Sequence, residues 1–298
     1  MKYRDLNKLP YCDLRMGVIF YFFESPAKYR KEIKGIFEEY CELTEDHFTY
    51  YYKNEHAGFQ PIKNDDRKYF YNFIDKKDFE RTARILMTNA TKEQMQSIKT
   101  EMILANIYPE YPGQIPNRMY FEFLPEIEFG KVLHFIKRTF QKIPCYYCCG
   151  SLVVGSNDQY IHKSASLAVQ LFRETKCLSD KYSVFMNPSL EFEFKNNKIG
   201  GSHFVQVLSP ELCGITGPDK ITETCSKNKI HYEMEGDYAI IAISKDQYPA
   251  GDEEILERCL VLNELFREII FEMKKPRLYW KNEEWDRWMK RFDKKIHD

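Results

Sequence analysis

Residues 16–23 read Met-Gly-Val-Ile-Phe-Tyr-Phe-Phe, an unbroken apolar run rich in aromatic and β-branched side chains. That pattern predicts a strand covered on both faces. Ser25 follows as a helix N-cap, with Pro26 at the first helical position. Tyr29, Ile33, Ile36, Phe37 and Tyr40 then recur at helical spacing, while Lys31, Glu32, Lys34, Glu38 and Glu39 take the wet face. An aromatic strand over 47–52 closes a unit near 14–54. A second unit near 118–154 has the same order. A strand over 118–124 is broken by Pro125, and a helix carries Phe129, Val132, Leu133, Ile136 and Phe140 on one face. Pro144 stops that helix before an apolar strand over 145–154. These are architectural pseudo-repeats of strand, helix and strand, without residue identity between them.

Between the units, 83–88 reads as a strand, and Thr91-Lys92-Glu93-Gln94 as a capping box opening a helix through Leu104. Residues 108–113, with Pro109, Pro112 and Gly113, form a loop. Further on, 160–172 is expected to be helical. Residues 190–195 alternate as a half-buried strand with Leu190, Phe192 and Phe194 inward. Gly236-Asp237 joins strands over 230–235 and 238–243 as a two-residue hairpin. A long amphipathic helix is expected over 252–273, with Ile255, Cys259, Leu262, Phe266, Ile269 and Met273 on its apolar face. Trp285, Trp288, Met289 and Phe292 then mark a short helix docking by an aromatic face. The whole predicts an α+β fold: a mixed, largely antiparallel sheet or sheets with helices packed on one side. It forms a single domain over 1–298, with the tail 276–298 docked.

Composition narrows the function. With 298 residues, 43% hydrophobic, 30% charged and 15% aromatic, the chain is neither disordered nor fibrous. Lys+Arg 44 against Asp+Glu 45 leaves a formal charge of -1, so there is no basic excess to collect phosphates, and nucleic acid is not an expected partner. The apolar run at 16–23 is far short of the roughly 20 residues that cross a bilayer, so no membrane is expected either. The N-terminus carries Asp5 and Pro10 without a sustained apolar segment between them and does not read as a secretory signal. A cytoplasmic protein is expected, its nine cysteines reduced thiols.

Chemistry-bearing patterns are sparse. Gly150-Ser151, Gly155-Ser156 and Gly200-Gly201-Ser202 lack the spacing of phosphate-cradling loops, and there is neither a nucleophile elbow nor a zinc helix of the His-Glu-x-x-His type. Cys145 and Cys148 form a C-x-x-C pair. In a strand they splay to opposite faces and read as buried, inert thiols. Glu193 and Lys195 have the Glu-x-Lys spacing of metal-dependent phosphodiesterases, which needs a further carboxylate from Asp158 or Asp180. The same residues also read as the wet face of a half-buried strand. His203 and His231 have no adjacent dyad partner. No catalytic residue, metal site or cofactor is assigned.

Residues 199–209, Ile-Gly-Gly-Ser-His-Phe-Val-Gln-Val-Leu-Ser, resemble the Gly-Asn-Trp-Leu-Thr stretch of the type VI immunity family, a bacterial family formerly classed as a domain of unknown function. Here Ser202, Phe204 and Gln206 stand where that family has Asn, Trp and Thr. Pro249-Ala250-Gly251-Asp252 is similar to its Pro-x-x-Gly-Asp turn, and residues 284–293 to its terminal Trp-x-x-Arg-Phe-Asp segment. The strand, proline, helix and strand of 119–154 resemble its middle. The resemblance implies an immunity protein that binds a cognate type VI secretion toxin, often a nuclease, in the cytosol; it implies no catalytic positions. Neutralisation by occlusion of a basic toxin surface would use acidic clusters. Those in the sequence are Glu191 with Glu193, Glu233 with Glu235 and Asp237, and Asp252 with Glu253 and Glu254. Two other readings stay open: the phosphodiesterase of Glu193 and Lys195, and a non-catalytic scaffold that buries its tryptophan-bearing tail in a partner.

Overall fold

The computed structural model describes residues 13–45, 47–54, 58–63, 65–89, 101–106, 109, 111–155, 179, 188–245, 253–271 and 282–292. The strands are β1 (Asp13–Phe22), β2 (Tyr50–Asn54), β3 (Gly58–Pro61), β4 (Ala83–Thr88), β5 (Glu101–Asn106), β6 (Asn117–Phe123), β7 (Tyr147–Gly155), β8 (Val205–Leu208), β9 (His231–Glu235) and β10 (Tyr238–Ala242). They form a 10-stranded sheet in the order β3-β2-β4-β5-β6-β1-β7-β8-β10-β9. Every pair of neighbouring strands is antiparallel. Parallel pairing among the described residues is confined to the isolated bridges Val153–Ser179 and Ile199–Ile270. The fold is α+β.

Helices α1 (Arg30–Thr44), α2 (Asp66–Lys76) and α3 (Phe129–Lys142) pack on one side of the sheet. Their apolar stripes make a continuous aromatic layer with the strands beneath. The Phe135 ring lies 5.2 Å from Phe121 and 5.4 Å from Phe123, and Tyr40 lies 4.9 Å from Phe121. Phe37 and Phe70 stack at 4.1 Å and join α2 to α1. Each such pair adds about 0.5–1.5 kcal/mol beyond the area it buries. Local signals start the helices. Ser25 caps a 3-10 turn, Pro26–Tyr29, that leads into α1, and Asp65 accepts from the Lys68 N–H at 2.9 Å to open α2.

The opposite face, over β1 and β7–β10, is covered by the 3-10 turn Phe194–Asn196, by α5 (Pro210–Thr216) and α6 (Pro218–Lys227), and by residues of α7 (Glu253–Leu265) and the C-terminal segment. Phe194 sits 4.5 Å from Tyr21 and 6.0 Å from Tyr147. α8 (Asn282–Met289) buries Trp285 and Trp288, and Phe292 beyond it is buried as well. The Arg291 guanidinium lies 3.8 Å from the Trp288 ring and 4.3 Å from Phe292, cation–π contacts that brace the tail internally.

Both expected units form, β1–α1–β2 and β6–α3–β7. They differ in span: β1 alone separates β6 from β7, whereas β6, β5 and β4 separate β1 from β2. Four expectations are corrected. The helix expected to run through Leu104 is replaced at its end by β5, whose residues Met102, Ile103, Leu104 and Ala105 are all buried between β4 and β6; a continuous apolar run carries no period to tell strand from helix. Its start at 91–94 and the helix expected over 160–172 lie outside the described residues. The strand at 47–52 begins only at Tyr50, because Phe48 stacks under Phe37 and its N–H donates to Asp66 Oδ2 at 2.7 Å.

Residues 190–195 are not a strand. α4 (Pro188–Glu193) and the 3-10 turn bury Leu190 and Phe194, four positions apart on one helical side, and leave Phe192 exposed. Finally, α7 ends at Leu265 rather than running to 273, since Ile270 leaves the helix to bridge Ile199 and the Phe271 N–H donates to the Ile199 carbonyl at 2.8 Å.

β6 departs from its pattern in a way that matters for packing. Arg118, Tyr120 and Glu122 alternate with Met119, Phe121 and Phe123, which suggests one wet face, yet all are buried. The Tyr120 hydroxyl donates to Glu122 Oε1 at 2.8 Å and lies over Gly17 on β1, where a Cβ would come within 2.7 Å of it. Glycine is required there by close approach of a ring that its own hydrogen bond holds in place. Gly17→Ala is therefore expected to cost about 1–3 kcal/mol, read as a lower urea midpoint with an unchanged slope.

Candidate functional site

The three acidic clusters meet different fates. Glu191 and Glu193 lie on α4, and Glu193 accepts from the Asn196 amide at 2.9 Å. With helical geometry, the strand face that was to align Glu193 with Lys195 is not formed. Asp158 and Asp180 lie outside the described residues. Asp252 does too, while Glu253 and Glu254 open α7. The third cluster, Glu233, Glu235 and Asp237, is brought together by the β9–β10 hairpin. Glu233 pairs with Lys137 of α3, and His231 Nε2 lies 3.7 Å from its carboxylate. Glu235 accepts from the neutral Gln141 amide at 2.9 Å. Asp237 stands exposed at the hairpin tip.

Behind the hairpin, on the opposite face of the sheet from Glu233 and Glu235, is a groove of about 230 Å³ between the strands and the α5–α6 corner. Pro210, Cys213, Pro218, Ile221, Tyr232 and Met234 line it, and Asp237 sits at its rim. Ser209 starts α5 by accepting from the Leu212 N–H, with Pro210 in the first turn, and Pro218 starts α6 directly after Gly217 at φ 90. Proline at each helix start sets the corner that opens the groove. Met234 is 49% exposed, so the groove presents an apolar surface with Asp237 beside it. Glu211 and Asp237 lie close enough to Tyr238 to raise its phenol pKa further, after burial, the main cause, and Cys145. Sequence reading singled out the carboxylates of β9 but not the groove. The signal was present in Tyr232 and Met234, the alternate positions of the same strand, but the helices that complete the wall come from elsewhere in the chain.

A second, wider groove of about 440 Å³ runs between α1 and α3 and includes Glu39, Glu42, Glu128 and His134. Glu39 is already held by Arg138 at 3.1 Å and Lys142 at 2.8 Å.

The other chemistry-bearing residues are internal. Cys145, Cys148 and Cys149 are buried, and burial pushes all three thiols well up from their ordinary value. Register places Cys148 opposite Phe20 and Cys149 opposite Ile19, hence on opposite faces of the sheet. Among the described residues no cluster of three or more His, Cys, Asp or Glu is arranged to hold a metal ion. Trp285 and Trp288 are buried in the chain's own core, so the described tail does not present these two rings to a partner. No helix among the described residues is long and apolar enough to cross a membrane.

His203 is buried beside Ser151, Ser179 and Ser202 at a cavity of about 10 Å³, room for at most a single water. The Ser151 hydroxyl accepts from the Phe204 N–H at 3.2 Å. Burial, and then the charge of Arg291, lower the His203 pKa to about 3.

No protein-family model matches the chain, and the search of curated proteins found no significant match. Among solved structures, the fold is similar to that of the Pseudomonas aeruginosa T6SS protein PA0821, with a TM-score of 0.74 at 16% sequence identity, covering 95% of this chain and 82% of that one.

The His203 environment has a measurable consequence. Folding holds the imidazole neutral, whereas the unfolded chain protonates it near its ordinary 6.5. The unfolded state thus binds the extra proton between about pH 6.5 and 3, and stability is full above that window and falls as pH drops through it. At pH 5 this one group costs about 2 kcal/mol relative to pH 8. Urea titrations at the two pH values should show His203→Asn losing that part of the difference; an equal difference in the variant would contradict the assignment.

Proposed function

We propose that the chain is an immunity protein of a type VI secretion system, which binds a cognate toxin in the cytosol and neutralises it by occlusion rather than by catalysis. The observation that carries this reading is the likeness of fold to a T6SS protein over 95% of the chain, and the resemblance of 199–209 and 284–293 to the type VI immunity family agrees with it. Within these stretches, Phe204, Gln206 and Arg291 are structural. Phe204 packs edge-on to Phe129 at 4.7 Å, Gln206 donates to the Tyr147 hydroxyl at 3.0 Å, and Arg291 contacts the Trp288 and Phe292 rings. Such positions maintain a framework and leave recognition to the exposed surface.

Occlusion needs a preformed patch of about 800 Å² per partner with an apolar centre and a polar rim. Asp237 at the rim of the hairpin groove, with Glu233 and Glu235 on the hairpin's other face, suits a toxin with a basic site, because opposite charge speeds encounter and fixes orientation. The phosphodiesterase alternative loses its motivation once Glu193 and Lys195 leave a common strand face.

Coexpression with the neighbouring gene's product, where that product is toxic, is expected to rescue growth and to yield a complex that co-purifies. Failure of both would remove the immunity reading. Purified protein with Mg²⁺ or Mn²⁺ is expected to leave DNA and RNA intact; metal-dependent cleavage that disappears in Glu193→Gln would put the enzyme in its place.

A further inference from the structure

β9 is the last strand of the sheet, and its register with β10 is regular throughout. Gly236 takes φ 59 at the first central position of the hairpin turn, the arrangement of a type II′ turn, in which the flanking pair exchanges both backbone hydrogen bonds. That pair is Glu235 and Tyr238, and by alternation Glu233 with Ile240 and His231 with Ala242 also bond inward. The N–H and C=O groups of Tyr232 and Met234 therefore point past the edge of the sheet. The opposite edge is defended differently: β3 has four residues and ends in Pro61, which has no donor. β9 contains no proline.

We infer that the β9 edge receives an extended segment of the toxin as an added strand, with apolar side chains entering the groove and Lys or Arg on the other face beside Glu233 and Glu235. This rests on the immunity reading and deepens it by naming the surface. An added strand alternates as β9 does. One set of its side chains lies beside Tyr232 and Met234 over the groove, whose volume of about 230 Å³ is below the roughly 300–1,000 Å³ of small-molecule pockets and suits side chains. The other set lies beside the carboxylates, where the contact of Glu235 is with the neutral Gln141 amide. A second copy of the chain fits poorly, because antiparallel pairing of β9 with itself sets the Glu233 and Glu235 face against its own image, and like charges across strands repel. The occupant is thus a basic, amphipathic strand of another protein.

The test is calorimetric titration of the neighbouring gene's product, where that product is toxic, into wild type, Met234→Pro and Glu235→Lys. Proline at 234 removes an outward N–H and no ladder bond, so the hairpin persists, which thermal melting checks. Affinity is expected to fall about tenfold or more in Met234→Pro. In Glu235→Lys it should fall about fivefold at low salt, the difference shrinking as salt rises. In the complex, hydrogen exchange at the Tyr232 and Met234 amides should slow. Wild-type affinity in Glu235→Lys and in a folded Met234→Pro, or unchanged exchange at both amides, would overturn this inference and leave immunity standing. A wild-type dimer that Met234→Pro dissolves would do the same. A wild type that fails to bind the toxin would overturn both.

Discussion

β1 exchanges backbone hydrogen bonds with β6 along one edge and β7 along the other, and Met16, Val18, Ile19, Phe20, Tyr21 and Phe22 are buried above and below the sheet. A strand enclosed on both edges and both faces joins the two halves of the sheet, since β1 is the element between β6 and β7. Phe20 anchors the aromatic layer under α3, and Tyr21 the contact with Phe194 on the other side. The layers of the molecule meet at this strand, and the two faces are packed against it by different parts of the chain.

The enclosure has a polar cost on one face. Arg15, Arg118, Glu122, Gln206 and His203 are all buried, and such groups are tolerated only with partners. Tyr120 bonds Glu122 across Gly17, and Gln206 bridges Tyr147 and the Gly201 carbonyl. Gln206 ties β8 to β7 through the Tyr147 hydroxyl and so favours one register, because a slip of one residue would turn Gln206 to the other face of the sheet.

A framework so committed internally leaves recognition to its rim. The acidic residues of the hairpin are divided between structure and surface: Glu233 is shared with Lys137 and Glu235 accepts from Gln141, while Asp237 stands exposed at the tip. The groove behind them exists because two proline-started helices turn a corner over the sheet's last strands. In this way the edge strand, which would invite nonspecific pairing, carries acidic side chains on one of its faces.

Local patterning determined a good deal. The run at 16–23, the Ser25-Pro26 start, the α3 stripe, the Gly236-Asp237 hairpin and the docked tryptophan helix were legible because each depends on neighbours in sequence, through periodicity, capping or turn chemistry. Tertiary structure alone decided the rest. Period two at 190–195 gave way to a helix, which buries Leu190 and Phe194 on one side, Phe194 against Tyr21 and Tyr147, and leaves Phe192 exposed. Arg118, Tyr120 and Glu122 read as a wet face yet are buried, because whether a strand's polar side meets water depends on what covers the sheet. The groove beside β9 was invisible for the same reason: its walls come from α5, α6 and the final hairpin, and no one segment's hydrophobic pattern records which distant segments will stand opposite it.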